Sequence, residues 1–189
     1  MNIYQLQKVD FEKVVALGNV INGENYLTPE LVEEMLGKSC RDGHNCSFVA
    51  YDGERSGTLA GFRLTYAPGS WEPDKWCCPE KWKVRPEELC YFKSNMIAEP
   101  FRGKGLGPLL LNESIRVARS LGALGGITHI WMQSPGNSAF KYFTKAGGEL
   151  VMIHPGRWNE DCINYGYSCI LCGTDCTCDA AEMILYFKE

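Results

Sequence analysis

At 189 residues the chain is long enough for one domain with a real core and cramped for two, and its 45% hydrophobic and 22% charged residues are ordinary for a soluble globular protein. The net charge of -4 argues against a nucleic-acid partner, which calls for a basic surface. No stretch approaches the roughly 18 apolar residues of a membrane span, and residues 1–10 lack the basic start and apolar run of a secretory signal, so the expected location is the cytoplasm.

Residues 3–9 alternate apolar and polar, which predicts a half-buried strand. Asp10 is placed to cap a helix over 11–21, and Thr28 with Pro29 to open a second over 29–38. Residues 47–67 read as a hairpin around Asp52-Gly53. In 68–89 proline, tryptophan and charge alternate without a period, which predicts an ordered insertion loop. Its Trp71, Trp76 and Trp82 either pin it to the body or line a substrate channel. A strand over 90–98 ends where Pro100 interrupts it, and a glycine-rich loop follows. Then come a helix with Leu111, Ile115 and Ala118 on one face, and a strand over 127–133. A short helix over 137–148 is capped by Asn137 and stopped by Gly147-Gly148, and strands at 149–153 and 182–187 complete the order. One mixed α/β domain over 1–189 is expected.

The loop carries the chemistry. Between a strand and a helix, backbone N–H groups converge on a helix N-terminus, where the dipole is positive and donors are unpaired. Gly103, Gly105 and Gly107 let that backbone approach a ligand closely, and Arg102 and Lys104 add charge. This suits a phosphate or pyrophosphate. Gly103-Lys104 is followed by Gly105, so the hydroxyl of a P-loop is missing; a dinucleotide fingerprint fails at Pro108. The pattern that fits is R-x-x-G-x-G, formed by Arg102, Gly105 and Gly107. It resembles the acyl-coenzyme A pyrophosphate loop of the GNAT superfamily of N-acetyltransferases. The segment "NSAFKYFTKAGGEL" resembles the family's N-x-x-A-x-x-x-Y-x-K-x-G-F signature, with the spacing from Asn137 to Ala139 one residue short. The resemblance covers most of the chain, excluding the insertion at 68–89 and the cysteine-rich segment at 162–178.

The resemblance implies a central twisted mixed sheet flanked by about four helices, with acetyl-CoA as cosubstrate. By position, Arg102, Gly103, Lys104, Gly105, Leu106 and Gly107 would hold the pyrophosphate. The backbone of Asn95 and Ile97 would pair with the pantetheine arm, and Asn137 would touch it. Tyr91 falls where a family glutamate base sits, with Glu88 and Glu87 just before it. The family tyrosine that protonates the leaving thiolate is replaced by Phe143, counted among the cofactor contacts, with Tyr142 beside it. The implied reaction is acetyl transfer to a primary amine by direct attack in a ternary complex, in a monomer or homodimer. A non-catalytic acyl-CoA sensor, motivated by Phe143, and a zinc-containing interaction scaffold are the alternatives.

Ten cysteines are unusual for a reducing compartment. Five crowd together at Cys162, Cys169, Cys172, Cys176 and Cys178. The last four could supply thiolates to a structural zinc ion; a redox-sensitive disulfide and free buried thiols are the other readings. His129 and His154 are read as structural residues and Lys145 as a solvated charge at a helix end.

Overall fold

The computed structural model describes residues 1–188. The elements run β1 (Asn2–Gln5), α1 (Phe11–Asn22), α2 (Pro29–Ser39), the short ribbon β2 (Cys40–Arg41) and β3 (His44–Asn45), β4 (Phe48–Asp52), β5 (Thr58–Tyr66) and β6 (Leu89–Ile97). They continue through α3 (Leu106–Ser120), β7 (Gly125–Trp131), α4 (Ser138–Lys145), β8 (Glu149–His154), α5 (Asn159–Tyr165) and β9 (Ala180–Tyr186). Seven strands form one sheet in the order β1-β4-β5-β6-β7-β9-β8. Every neighbouring pair is antiparallel except β6 and β7. Among the described residues no helix is long and apolar enough to cross a membrane.

Alternation along the strands builds two cores. Val49, Tyr51, Phe62, Leu64 and Met96 pack with Val14, Val32 and Met35 of α1 and α2. On the other face Phe48, Ala50, Cys90 and Phe92 meet Leu110, Leu111 and Val117 of α3, with Phe143 of α4. At about 25 cal/mol per Å² of apolar surface, each fully buried large side chain contributes roughly 1.5–3 kcal/mol.

Local chemistry sets the element ends. Thr28 Oγ1 accepts from the Leu31 N–H at 3.2 Å, with Pro29 in the first turn, as expected. Asp10 does not cap α1. Its buried carboxylate accepts from the Gln7 N–H, the Tyr51 hydroxyl and Arg55 Nη1 at 2.8–2.9 Å. A turn over Lys8–Asp10 ends the first strand early, at Gln5. The β2–β3 ribbon and α5 were not expected.

The insertion packs on the sheet through a third apolar cluster, where Trp71 and Trp82 meet Leu89, Tyr91, Ile127 and Ile184. The Trp71 indole donates to Leu89 O at 2.7 Å, and that of Trp82 to Glu182 Oε1 at 2.9 Å. These two tryptophans pin the loop. Glu182 is fully buried and also accepts from the Cys78 N–H and from His154 Nε2, each at 3.0 Å. Burial pushes its carboxyl up, but the hydrogen bonds from Cys78, His154 and Trp82 outweigh it and hold the group below the usual range.

Candidate functional site

The parallel strands β6 and β7 pair over only three positions, Leu89↔Gly125, Cys90↔Gly126 and Tyr91↔Ile127. There Gly126 lets the strands close, since a Cβ on it would lie 2.3 Å from the Phe92 ring. Just beyond, Phe92 O accepts from the Thr128 hydroxyl at 2.8 Å. Lys93 bulges out of the register with β5, where Leu64↔Ser94 is followed by Thr65↔Phe92. From Lys93 to Ile97 the β7-facing edge of β6 has no strand partner among the described residues. The two strands thus form an open V.

The glycine loop lies just beyond the open end of β6. Gly103 and Gly105 have φ of +72° and +79°, a region that costs other residues about 1 kcal/mol or more, and neither faces a heavy atom within 4 Å of its Cβ position. Gly105 precedes α3, and no side chain caps the N–H groups of the helix's first turn. Leu106 anchors that turn in the core. Lys104 Nζ lies 5.7 Å from the Phe101 ring centroid, and Arg102 Nε donates to Ile97 O at 3.0 Å. The Ile97 carbonyl, expected to meet a cofactor arm, is therefore occupied by the loop's own arginine.

Gly107, Asn95 and Tyr142 converge. A Cβ on Gly107 would lie 3.6 Å from the Tyr142 ring and 3.7 Å from Asn95 Nδ2. The Tyr142 hydroxyl donates to Gly107 O at 3.0 Å and accepts from Arg63 Nη2 at 3.2 Å. Phe143, expected beside the cofactor, is instead in the core, edge-on to Phe92 at 5.8 Å. The physical reason is helix phase: α4 begins at Ser138 after a left-handed Asn137 (φ +52°), which turns Tyr142 rather than Phe143 toward the loop. Asn137 makes no side-chain cap. Its Oδ1, like that of Asn95, is buried without a partner. An unpaired buried acceptor costs about 1–3 kcal/mol, so both atoms suit a ligand that brings its own N–H donors, as the two amides of a pantetheine arm do.

The family description "Acetyltransferase (GNAT) family" matches residues 2–148, more than three quarters of the sequence. The chain belongs to this family. GNAT membership makes it an N-acetyltransferase. Among solved structures it is similar in fold to Naa20 from Chaetomium thermophilum in complex with a bisubstrate analogue, at 14% identity and TM-score 0.72, covering 99% of this chain and 87% of that one. It is also similar to Ard1 from Thermoplasma volcanium (14%, TM-score 0.68, 100% and 98% covered). A third likeness is to the ribosomal-protein-S18-alanine N-acetyltransferase from Escherichia coli (13%, TM-score 0.66, 100% and 94%). Among curated proteins none matches the sequence.

On the opposite face of the GNAT sheet, the half-buried Tyr91 pairs with the buried His129. His129 Nε2 lies 2.6 Å from Trp76 O, which can only accept, and Nδ1 lies 2.9 Å from the Tyr91 hydroxyl. Burial pulls the imidazole down to about 4, so it is neutral at pH 7, with the proton on Nε2 and Nδ1 accepting from Tyr91. Burial likewise pushes the Tyr91 phenol well above its usual range. Glu88 accepts from the Arg85 N–H and guanidinium at 3.0 and 3.2 Å. It precedes β6, five residues and roughly 16 Å of extended chain from the Lys93 bulge, and does not reach the open V. Sequence reasoning read His129 as a structural residue and missed its pairing with Tyr91. It also missed Lys93, half-buried at the bulge, whose ammonium burial and Arg157 pull below its usual range.

The His129 imidazole gives a pH prediction. Unfolded, it titrates near 6.5; folded, near 4. Between those values the unfolded chain binds a proton that the folded chain refuses, so stability is full above pH 6.5 and falls by about 3 kcal/mol toward pH 4. His129→Gln should flatten this fall, read as urea-unfolding free energies at pH 7 and pH 4.5. An unchanged difference between the two pH values would contradict the assignment.

Residues 166–170 roof the same face by docking on the loop between α1 and α2. Asn22 O accepts from the Ile170 N–H at 3.1 Å and the Tyr167 hydroxyl at 2.9 Å. Glu24 O accepts from the Ser168 N–H, and Asn25 Nδ2 donates to Gly166 O, each at 3.0 Å. Gly23 is required beneath it, because a Cβ there would lie 1.9 Å from Ser168 O. Tyr26 then links the roof to β6, meeting Tyr167 edge-on at 6.1 Å and Ser94 Oγ through its hydroxyl at 2.9 Å. Behind the roof the sulfurs of Cys169, Cys172, Cys176 and Cys178 lie within 4.8 Å of one another, and none is in a disulfide.

Proposed function

We propose that this GNAT domain transfers the acetyl group of acetyl-CoA to a primary amine by direct attack in a ternary complex. The observation that carries the proposal is the open V between β6 and β7 beside the glycine-rich start of α3. The loop, residues 102–107, would hold the pyrophosphate through backbone N–H groups, with Arg102 and Lys104 supplying charge. Asn95 and Asn137 would accept from the pantetheine amides at their unpaired Oδ1 atoms. Bound there, acetyl-CoA supplies an activated acyl carbon.

The acceptor would enter from the roofed face, between Tyr26, Lys93 and the insertion. Neutralising a lysine-like ammonium at pH 7 costs about 4.6 kcal/mol. In this reading the ammonium gives up two protons as the C–N bond forms and the C–S bond breaks. One reaches solvent and the other the leaving sulfur. Tyr142 would stand in for the family tyrosine that Phe143 replaces: its hydroxyl would turn its proton from Gly107 O to the leaving sulfur and take the amine's second proton in exchange. Water at the open V takes the first proton, because burial keeps the Tyr91 phenol protonated and Glu88, before the start of β6, lies too far away. A backbone N–H on the free edge of β6 would stabilise the charge growing on the acyl oxygen by several kcal/mol.

Thermal melting tests the donor. Acetyl-CoA at about 100 times its dissociation constant should add roughly 2.7 kcal/mol, a rise on the order of 5–10 °C for a chain of this length. ATP and NAD should give none. Amines are then screened by release of free CoA thiol. No rise at saturating acetyl-CoA would overturn the reading, and a rise without thiol release from any amine would favour a sensor.

A further inference from the structure

The geometry points to a tetrathiolate zinc site formed by Cys169, Cys172, Cys176 and Cys178, whose ion holds the roof of the acceptor face in place. The part about the roof rests on the acetyltransferase reading; the metal site does not.

A zinc ion with four thiolates at about 2.3 Å requires sulfurs at the corners of a tetrahedron with edges of about 3.8 Å. Cys172 Sγ lies 3.6 Å from Cys169, 3.6 Å from Cys176 and 3.3 Å from Cys178, and Cys169 Sγ lies 4.0 Å from Cys178. The remaining two pairs are within 4.8 Å. All these distances far exceed the roughly 2.05 Å of a disulfide, and a single disulfide would leave two of the four sulfurs unexplained. An iron–sulfur cluster interposes several irons and sulfides and would need the thiolates farther apart.

The backbone is shaped for the same ion. Cys169 and Gly173 exchange both backbone hydrogen bonds, at 2.9 and 2.8 Å, closing a C-x-x-C-G turn with Gly173 at φ +67°. The indole of Trp131 packs against the cysteine cluster, and its buried nitrogen has no hydrogen-bond partner. An unpaired indole donor against the cluster suits sulfur that carries negative charge.

Burial argues against a plain thiol core. Within the turn Ile170 and Leu171 are more than half exposed, while Cys169, Cys176 and Cys178 are buried. A loop folded by apolar burial would turn the larger aliphatic side chains inward. This one turns its sulfurs inward, as a metal-nucleated loop does. Cys162 borders the cluster but points at Gly173 O, 3.8 Å away, and is outside the ligand set.

The ion would matter to the acceptor face through chain continuity. Cys169 lies between Ser168 and Ile170, whose N–H groups bind Glu24 O and Asn22 O. Fixing Cys169 therefore fixes the roof over Tyr26.

The full chain, expressed in zinc-supplemented medium and purified reduced without chelator, should carry one zinc per chain by mass-spectrometric elemental analysis. Cobalt exchanged into the site should give thiolate-to-metal absorption and the intense visible bands of a tetrahedral centre. C172A should lose the metal, while C162A keeps it. Removing zinc should speed proteolytic cleavage within 159–178 at least tenfold, with the acetyl-CoA melting shift retained. Should C172A not fold, the wild-type cobalt spectrum decides. Zinc-free protein that takes up no cobalt, iron in place of zinc, a mass two hydrogens light from a disulfide, or zinc retained in C172A would each overturn the site. Unchanged proteolysis after zinc removal would overturn its role in the roof. Loss of the acetyl-CoA shift in zinc-loaded protein would count against the acetyltransferase reading alone.

Discussion

Gly105→Val should weaken acetyl-CoA binding at least 100-fold while leaving the free protein folded. Gly105 holds φ +79° at the start of α3, and the space at its Cβ is free of protein atoms within 4 Å. The variant therefore meets strain only in its backbone, on the order of 1–3 kcal/mol, which lowers the melting temperature by a few degrees. The larger effect falls on the ligand. A branched side chain would stand where the pyrophosphate approaches and would turn the loop's N–H groups away from it. Losing two charge-assisted hydrogen bonds of about 1.5–3 kcal/mol each corresponds to a factor between about 10² and 10⁴. Gly53→Val is the matched control: Gly53 has φ +83°, an equally open Cβ position and a place in the β4–β5 turn. It should lose similar stability with donor affinity intact. Calorimetric titration of both variants decides, and equal affinity for G105V and wild type would refute the assignment of the loop.

Glu182→Ala should be the most damaging single change to stability, about 3–5 kcal/mol, seen as a fall in melting temperature on the order of 10 °C. The carboxylate is fully buried and accepts from the Cys78 N–H, the Trp82 indole and His154. Truncation strands all three and releases the insertion from β9. Glu182→Gln keeps one oxygen for Cys78 and Trp82 and donates its N–H to His154 Nε2 once that imidazole carries its proton on Nδ1, so it should cost only about 1 kcal/mol. Similar losses in the two variants, or a loss below 1 kcal/mol in E182A, would show that the insertion is held mainly by the burial of Trp71 and Trp82.

Features governed by a few adjacent residues were legible in the sequence. Thr28-Pro29 announced α2, and the alternation of glycine and charge at 102–107 announced a phosphate loop. Features set by long-range pairing were not. Asp10 had the chemistry of a cap, but Tyr51 and Arg55, more than forty residues on, recruited it into a buried ion pair. The open V depends on where β6 and β7 stop pairing, which residues 89–97 alone do not encode. Tyr142 and Phe143 were separable only by helix phase, which turns on the left-handed backbone of Asn137. The cysteine spacing left metal, disulfide and free thiols open, and only sulfur positions distinguish among them.

The strand order has a consequence for how the chain is made. In the sheet, β9 stands between β7 and β8, yet it is synthesised after both. At about 5–20 residues per second, ribosomes need about 1–5 s to translate the segment between β8 and β9. Throughout that interval β7 has emerged with one long edge unsatisfied, and β8 has no neighbour at all. Gly125–Trp131 carries Ile127, Ile130 and Trp131 on an unpaired edge, a segment open to pairing with another nascent chain. The hairpin of β8 and β9 must therefore arrive as a wedge into a half-finished sheet. The vulnerable time in the life of this protein is the few seconds before that wedge closes.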